Sequence, residues 1–397
     1  MTTLPSDLPA NLQRIVDMEY PRFSAGEMTR RRDAVAALLS KVGADHLLFY
    51  GAARVGGSVQ WLTQWPVTAE AAGIFTPGKQ DTLLVHYFNH LPLAKKLASD
   101  AEVAWGGEGT MIASAIDALK QRGAKPDRVA YFGPLGVEQH AALTAQFGTL
   151  KNLNRDYVRL RMMKSVEEMD WFRIGAHFSD LGMMALRDNL KPGINERELS
   201  DAIERAYVRH GGTNAIHFIG TTSMAAPNVA VPRQFPSTRK LENGDVVFAE
   251  ISANFWDHAG QVLRTFTLGA EPTQLYRDLH ATADAAFDAI VAILKDGTMP
   301  AEVVAASGMI EANGFTTIDD LMHGFGGGYF GPIVGSASRP AGKIPDMPIR
   351  AGMMVVIQPN VATKDGMAGV QTGEALLITK TGVERMHGMV RGLVMVG

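Results

Sequence analysis

The chain of 397 residues is long enough for two domains and a large core, and its 46% hydrophobic and 20% charged residues are those of an ordinary soluble globular protein. A net charge of −3 and a pI near 6.4 give no electrostatic case for nucleic acid or an anionic membrane as partner. The absence of cysteine excludes disulfides, thiolate zinc sites and cysteine nucleophiles. The opening MTTLPSDLPANLQRIVDMEYPRF lacks a positive segment followed by an apolar one, and no apolar run reaches 18 residues, so a cytoplasmic protein is the expectation.

The first third alternates element types. Ala25 to Leu39 has helical spacing, a basic outer face and an end near Gly43. His46–Tyr50, Ala72–Thr76 and Thr82–Tyr87 read as strands. Met111–Arg122 reads as a helix, Arg128–Phe132 as a strand and Gly136–Phe147 as a helix. This alternation predicts an α/β layer on a largely parallel or mixed sheet. Gly56-Gly57, Trp61 and Trp65-Pro66 read as a loop between strands, suited to packing or an interface.

From Asn152 the texture changes to α+β, with a domain boundary expected near 152–160 and domains assigned as 1–157 and 158–397. Ser165 with Glu168 fits a capping box opening a long helix, Val166–Leu190, which Pro192-Gly193 ends. A second amphipathic helix spans Asn195–Arg209. Strands follow to Leu268, then helices at Thr273–Leu294 and Pro300–Asn313. The Gly-rich HGFGGGYFG (323–331) precedes the strand Met353–Ile357 and a last pair, Gly369–Gln371 and Glu374–Thr379.

The stretch that organises the second half is Gly244–Gly269, GDVVFAEISANFWDHAGQVLRTFTLG. A Gly-Asp turn leads into an apolar strand that ends on Glu250, and a second extended segment starts near Gln261. Paired as a hairpin, the two segments set Glu250 and Gln261 side by side, facing inward. Burial at that strand end raises a carboxyl pKa and suits Glu250 to general acid/base work. The alternative is a buried glutamate paired with Arg264 or Arg233. His258 and Asp257 fall in the hairpin turn and read as exposed. Asn214 and His217, before the strand Phe218-Ile219, either line the cleft or pack ordinarily. GFGGG lacks the following GK[ST] of a phosphate loop, and no cofactor is expected.

The blocks RLRMMKSVEEMDWFRIGA, KPGINERELSDAIE, STRKLENGD, LRTFTLG, LMHGFGGG, GMMVVIQPN and GVQTGEALLIT stand in an order and spacing that resembles the pita-bread family of creatinase, prolidase, aminopeptidase P and methionine aminopeptidase. The resemblance implies an α/β N-terminal creatinase-like domain, an α+β C-terminal pita-bread domain, and a homodimer in which one subunit's N-terminal domain borders the other's site. The family's metallopeptidases are similar to one another in a two-metal site of Asp, Asp, His, Glu and Glu. On those positions this chain carries Glu250, Gln261, Gly327, Gln358 and Gly373. Amides and glycines cannot replace carboxylates or imidazole around a divalent transition metal. A further family histidine falls on Arg233, a cation in place of a ligand, so the pattern implies a site redesigned to hold no metal.

Creatinase, a metal-free hydrolase of a small C–N bond, is the precedent within the family. Its key histidine also falls on Arg233, its second glutamate on Gln358, and its substrate-carboxylate arginine near Glu70. His323 keeps a family histidine that lies beside the substrate; the alternative is a core histidine bonded to a carbonyl. Gln261, Gln358 and Gln371 either orient a substrate or hold a collapsed site together. Glu374, next to the lost glutamate position, either reaches the substrate or points away into structure. Arg339 resembles an anion-binding arginine. The expectation is a metal-independent hydrolase of a small amide or amidine with Glu250 and His323 as acid and base. Glu70, His217, Arg233, Gln261, Arg339, Gln358, Gln371 and Glu374 are the expected substrate contacts. A lyase in the same cleft and a non-catalytic small-molecule or peptide binder are the alternatives.

Overall fold

The computed structural model describes residues 8–52, 57–326 and 328–397, so Gly56 of the tryptophan-rich segment and Gly327 lie outside the described residues. By packing, the chain falls into two units. One is Asp17–Arg161; the other joins the N-terminal residues up to Val16 to Met162–Gly397. Among the described residues no helix is long and apolar enough to cross a membrane.

The first unit is a six-stranded mixed sheet with helices. It comprises α2 (Ala25–Val42), β1 (His46–Ala52), α3 (Gly57–Thr63), β2 (Glu70–Phe75), β3 (Asp81–Val85), α4 (Leu91–Leu97), β4 (Ala101–Trp105), α5 (Met111–Gln121), β5 (Val129–Phe132), α6 (Val137–Phe147), β6 (Lys151–Asn152) and α7 (Asn154–Met162), α1 (Ala10–Val16) belonging to the other unit. The order β4-β3-β2-β1-β5-β6 combines an antiparallel β1-β2-β3 meander with parallel edges. Leu48, Ile74, Leu119 and Phe147 lie in its core. The segment expected as a tryptophan loop is in part the helix α3: Trp61 and Leu62 are buried, and the apolar spacing that looked like loop packing is one helical face. β4, unmarked by strong alternation, was not expected.

In the second unit, α8 (Val166–Asn189) begins at the Ser165/Glu168 capping box, and α9 (Glu196–Val208) at an equivalent box of Asn195 and Glu198. Each such cap contributes roughly 1 kcal/mol. β7 (Thr213–Ser223), β8 (Asp245–Phe255), β9 (His258–Ala259) and β10 (Val262–Leu268) follow, then α10 (Gln274–Ile293), α11 (Pro300–Ala306) and α12 (Met309–Ala312). The expected single helix 300–313 is thus broken, at Ser307-Gly308. The strands β11 (Thr316–Thr317), β12 (Met322–Phe325), β13 (Tyr329–Val334), β14 (Met354–Ile357), β15 (Val361–Ala362) and β16 (Gly373–Ile378) complete the part that matters for the site. The expected strand at Gly369–Gln371 forms only an isolated bridge, between Gly369 and Ala362.

The large sheet runs β13-β12-β14-β16-β10-β8-β7. β8 is buried along nearly its whole length, which explains its unbroken apolar run: both faces are covered. The helix α8 lies close against the β9–β10 corner. A Cβ on Gly175 would sit 2.3 Å from His258 O, and one on Gly260 would sit 2.3 Å from Ala176 Cα. Glycine at these two facing positions lets the backbones touch and fixes the corner beside Gln261.

Candidate active site

The β8–β9–β10 hairpin builds the centre. Trp256 and Asp257 both take positive φ, at 48° and 71°, the geometry of a tight turn whose twist matches its strands. The register pairs Leu263 with Glu250, and Gln261 Nε2 donates to Glu250 Oε1 at 2.7 Å. The same Nε2 donates to Gln358 Oε1 at 3.2 Å, and Gln358 Nε2 reaches Asp320 Oδ1 at 3.5 Å. Tyr329 O–H donates to that same Asp320 oxygen at 2.8 Å. His323 stacks on Tyr329 with ring centroids 4.2 Å apart, and its Nδ1–H donates to Gly324 O at 3.0 Å. A carbonyl only accepts, so Nδ1 carries the proton and Nε2 is the basic nitrogen.

These groups surround a cavity of ≈ 420 Å³. Glu250, Ser252 and Asn254 line it from alternate positions of β8, one face of a strand. Asp257, Gln261, Asp319, His323 and Gln358 line it too, with Phe218, Phe325 and Tyr329 as aromatic wall. Burial pushes the Glu250 carboxyl up to about 8, helped by the nearby charges of Asp319 and Asp320. Burial also raises Asp319 to about 6, with its hydrogen bond to Asp320 and that residue's charge adding to the effect. His323 goes the other way, to about 4, because burial disfavours the imidazolium.

Of the residues expected from the sequence, Glu250, Gln261, His323 and Gln358 converge on one cavity. Arg233 does not line it. Its guanidinium donates to Glu196 Oε1 at 2.7 Å, and that buried carboxylate also accepts from Thr221 and from Ser237 N–H. Glu250 therefore pairs with neither Arg233 nor Arg264. Arg339 is exposed, in the turn after β13, and is not an anion contact of this cavity. His217 faces away from it: Ile216 and Phe218 point in, so His217 on the opposite face meets Tyr207 O–H at 2.7 Å and Asn214 Nδ2 at 3.3 Å.

Glu374 also leaves the cavity. It is buried between Arg264 Nη2 at 2.8 Å and Arg385 Nε at 2.6 Å. Gln371 is fully buried, but its side-chain amide lines no part of the cavity and has no hydrogen-bond partner among the described residues. Glu70 belongs to the other unit, where it accepts from Tyr50 O–H and from Gln139 Nε2 at 3.3 Å. His258, expected exposed, is buried against Trp171 and Phe172, with Trp256 O at 2.8 Å from Nδ1. Asp257 beside it, expected exposed, is half-buried on the cavity wall. Asp319, Asp320, Tyr329 and Ser252 were not foreseen. The acidic pair just ahead of the HGFGGG block was the one available signal, since β12 carries both ends of that segment toward Glu250.

The chain belongs to metallopeptidase family M24, whose sequence profile matches residues 170–380, more than half of the chain. It is 23% identical over 228 residues to an Xaa-Pro dipeptidase of Pyrococcus furiosus, an alignment covering 57% of this chain and 63% of that protein. The chain thus spans less than two thirds of that relative's length. An Xaa-Pro dipeptidase from Bacillus anthracis superposes with a TM-score of 0.78 at 19% identity, covering 93% of this chain and 100% of that one. Dipeptidase PepE from Mycobacterium ulcerans superposes with a TM-score of 0.78 at 22% identity, covering 94% and 99%. These prolidase-like structures share its fold: an α/β N-terminal unit followed by the pita-bread unit.

The residues on the family's metal positions do not fit a dinuclear divalent centre. Gln261 turns an N–H donor, not a ligand oxygen, toward Glu250. At Gly373 a Cβ would sit 2.2 Å from Ile357 O, so that backbone has no room for a carboxylate side chain. The neighbouring Glu374 points to the opposite face, into its two arginines. This chain is a divergent member lacking the family's metal ligands.

Proposed function

We propose that this M24 member is a hydrolase that cleaves a C–N bond of a small amide or amidine without a dinuclear metal centre. The carrying observation is the opposed protonation of two side chains on one cavity. Near neutral pH Glu250, with its pKa up to about 8, keeps its proton, while His323, at about 4, stays neutral. Two titratable groups driven apart in this way divide into an acid and a base. Gln261 occupies Glu250 Oε1, leaving the other carboxyl oxygen to hold the proton over the cavity.

In this reading His323 Nε2 takes a proton from water as the water oxygen bonds to the substrate carbon. Glu250 gives its proton to the departing nitrogen as the C–N bond breaks, and the proton on His323 then restores Glu250. The relatives' names support hydrolysis as the reaction class. The N-terminal unit's Glu70 enters through the homodimer that the resemblance implies, bordering the neighbouring subunit's cavity.

The test is a screen of small amides, guanidino and betaine-like compounds against wild type and Glu250→Gln, after metal analysis of the purified protein. Turnover by wild type with labelled water oxygen in the product, lost in Glu250→Gln, supports the proposal. Product without the label means elimination by the same pair. Two tightly bound transition metals, or turnover in neither form, overturns it.

A further inference from the structure

We infer that the cavity recognises the cationic group of its substrate, an amidinium or ammonium, through Asp319 backed by Asp320, with Ser252 Oγ as an additional hydrogen-bond acceptor. The inference rests on the hydrolase reading only for the word substrate; the binding site itself stands on the geometry. Glu250, Asp257 and Asp319 all line the space, and among the described residues that line it there is no lysine or arginine. The arginines that would have argued for an anion are engaged with Glu196 or lie exposed.

A further observation points to a missing ligand. Ser252 Oγ lies on the cavity wall at 0% exposure and has no hydrogen-bond partner among the described residues. Asp320 stands next to the wall residue Asp319, and its Oδ1 accepts from Tyr329 and Gln358. Buried polar atoms without partners are rare in native proteins and mark a place where a partner arrives. A cation with several N–H donors suits this set, because it meets the Asp319 carboxylate and the Ser252 hydroxyl oxygen on a wall whose described residues include no lysine or arginine.

The wall completes the argument. Phe218, Phe325 and Tyr329 line the cavity with aromatic rings, whose faces attract a cation. Glu250 remains the acid in this scheme, so the compensating charge comes from the other wall carboxyls, Asp257 and Asp319, of which Asp319 has a second carboxyl, Asp320, beside it.

Calorimetry with benzamidine, its neutral isostere benzamide, and benzoate tests the inference on the whole chain without any need for turnover. Wild type is expected to bind benzamidine at least about tenfold more tightly than benzamide, and benzoate not measurably. Asp319→Asn should abolish that preference. Equal affinity for benzamidine and benzamide, or a preference for benzoate, overturns the inference. If Asp319→Asn fails to fold by thermal melting, Ser252→Ala, which removes only the hydroxyl, is expected to weaken benzamidine more than benzamide. Benzamidine selectivity without turnover of any C–N substrate leaves the cation site standing and removes the hydrolase.

Discussion

The large sheet buries two glutamates on the strands that flank β10, and they have opposite chemistry. Glu250 faces a cavity where its neighbours are the amide of Gln261 and the carboxyls of Asp319 and Asp320. Glu374, on the other face, is equally out of solvent but lies between Arg264 and Arg385. Burial pushes both carboxyls up. At Glu250 nothing opposes it and the pKa reaches about 8; at Glu374 the two guanidiniums outweigh it and hold the group below its ordinary value. One glutamate is a neutral acid near neutrality and the other a structural anion. Burial alone makes neither; the charge of the nearest partner decides.

The sharpest way to break this comparison is to remove each carboxylate in turn. Glu250→Gln is expected to lower kcat by about 10²–10⁴-fold, the range of a lost general acid, with an unchanged fold by circular dichroism. Glu374→Gln should instead cost about 3–5 kcal/mol of stability in urea unfolding, because Arg264 is left buried without the one carboxylate it pairs with among the described residues. Its folded fraction should keep its turnover per molecule. A catalytic loss in Glu374→Gln at full stability would reverse the two roles.

A smaller effect separates them by pH. The folded pKa of Glu250 lies near 8, above its ordinary 4.5, so the folded state binds more protons than the unfolded one between those values. Its contribution to stability is full below about pH 4.5 and is lost as pH rises toward 8. Glu374 is depressed, so its contribution is present above 4.5 and fades as the solution is acidified through its folded pKa. Melting temperatures of Glu250→Gln against wild type should therefore draw level at acid pH and favour the variant as pH rises to 8; a parallel pair of curves would show that Glu250 is not raised. The mildest test is the rate profile. With His323 near 4, Asp319 near 6 and Glu250 near 8, kcat/KM should rise as Asp319 ionises, level off between about 6 and 8, and fall about tenfold per pH unit above 8. A profile rising through pH 8 would mean that ionised Glu250 is the active form.

Much of this was legible in residue order. The Ser165/Glu168 and Asn195/Glu198 boxes marked helix starts because capping is a local hydrogen-bond pattern. The Glu250–Gln261 pairing followed from two extended segments joined by a short turn, which fixes register by itself. The tryptophan segment was less legible, since seven residues of helix carry too few turns to show their period.

Residue order alone carries the family's succession of blocks, the hairpin with its carboxylate facing an amide, and the substitution of glycine and glutamine on the metal positions. These follow from local geometry and from which side chains exist to donate. Only the tertiary structure decided where charge resides. It took Arg233 to Glu196, enclosed Glu374 between two arginines, left Arg339 exposed, and brought Asp319, Asp320, Tyr329 and Ser252 around Glu250. Electrostatic partnership acts between side chains remote in sequence and depends on which face each strand turns inward, and no local pattern of residues records that.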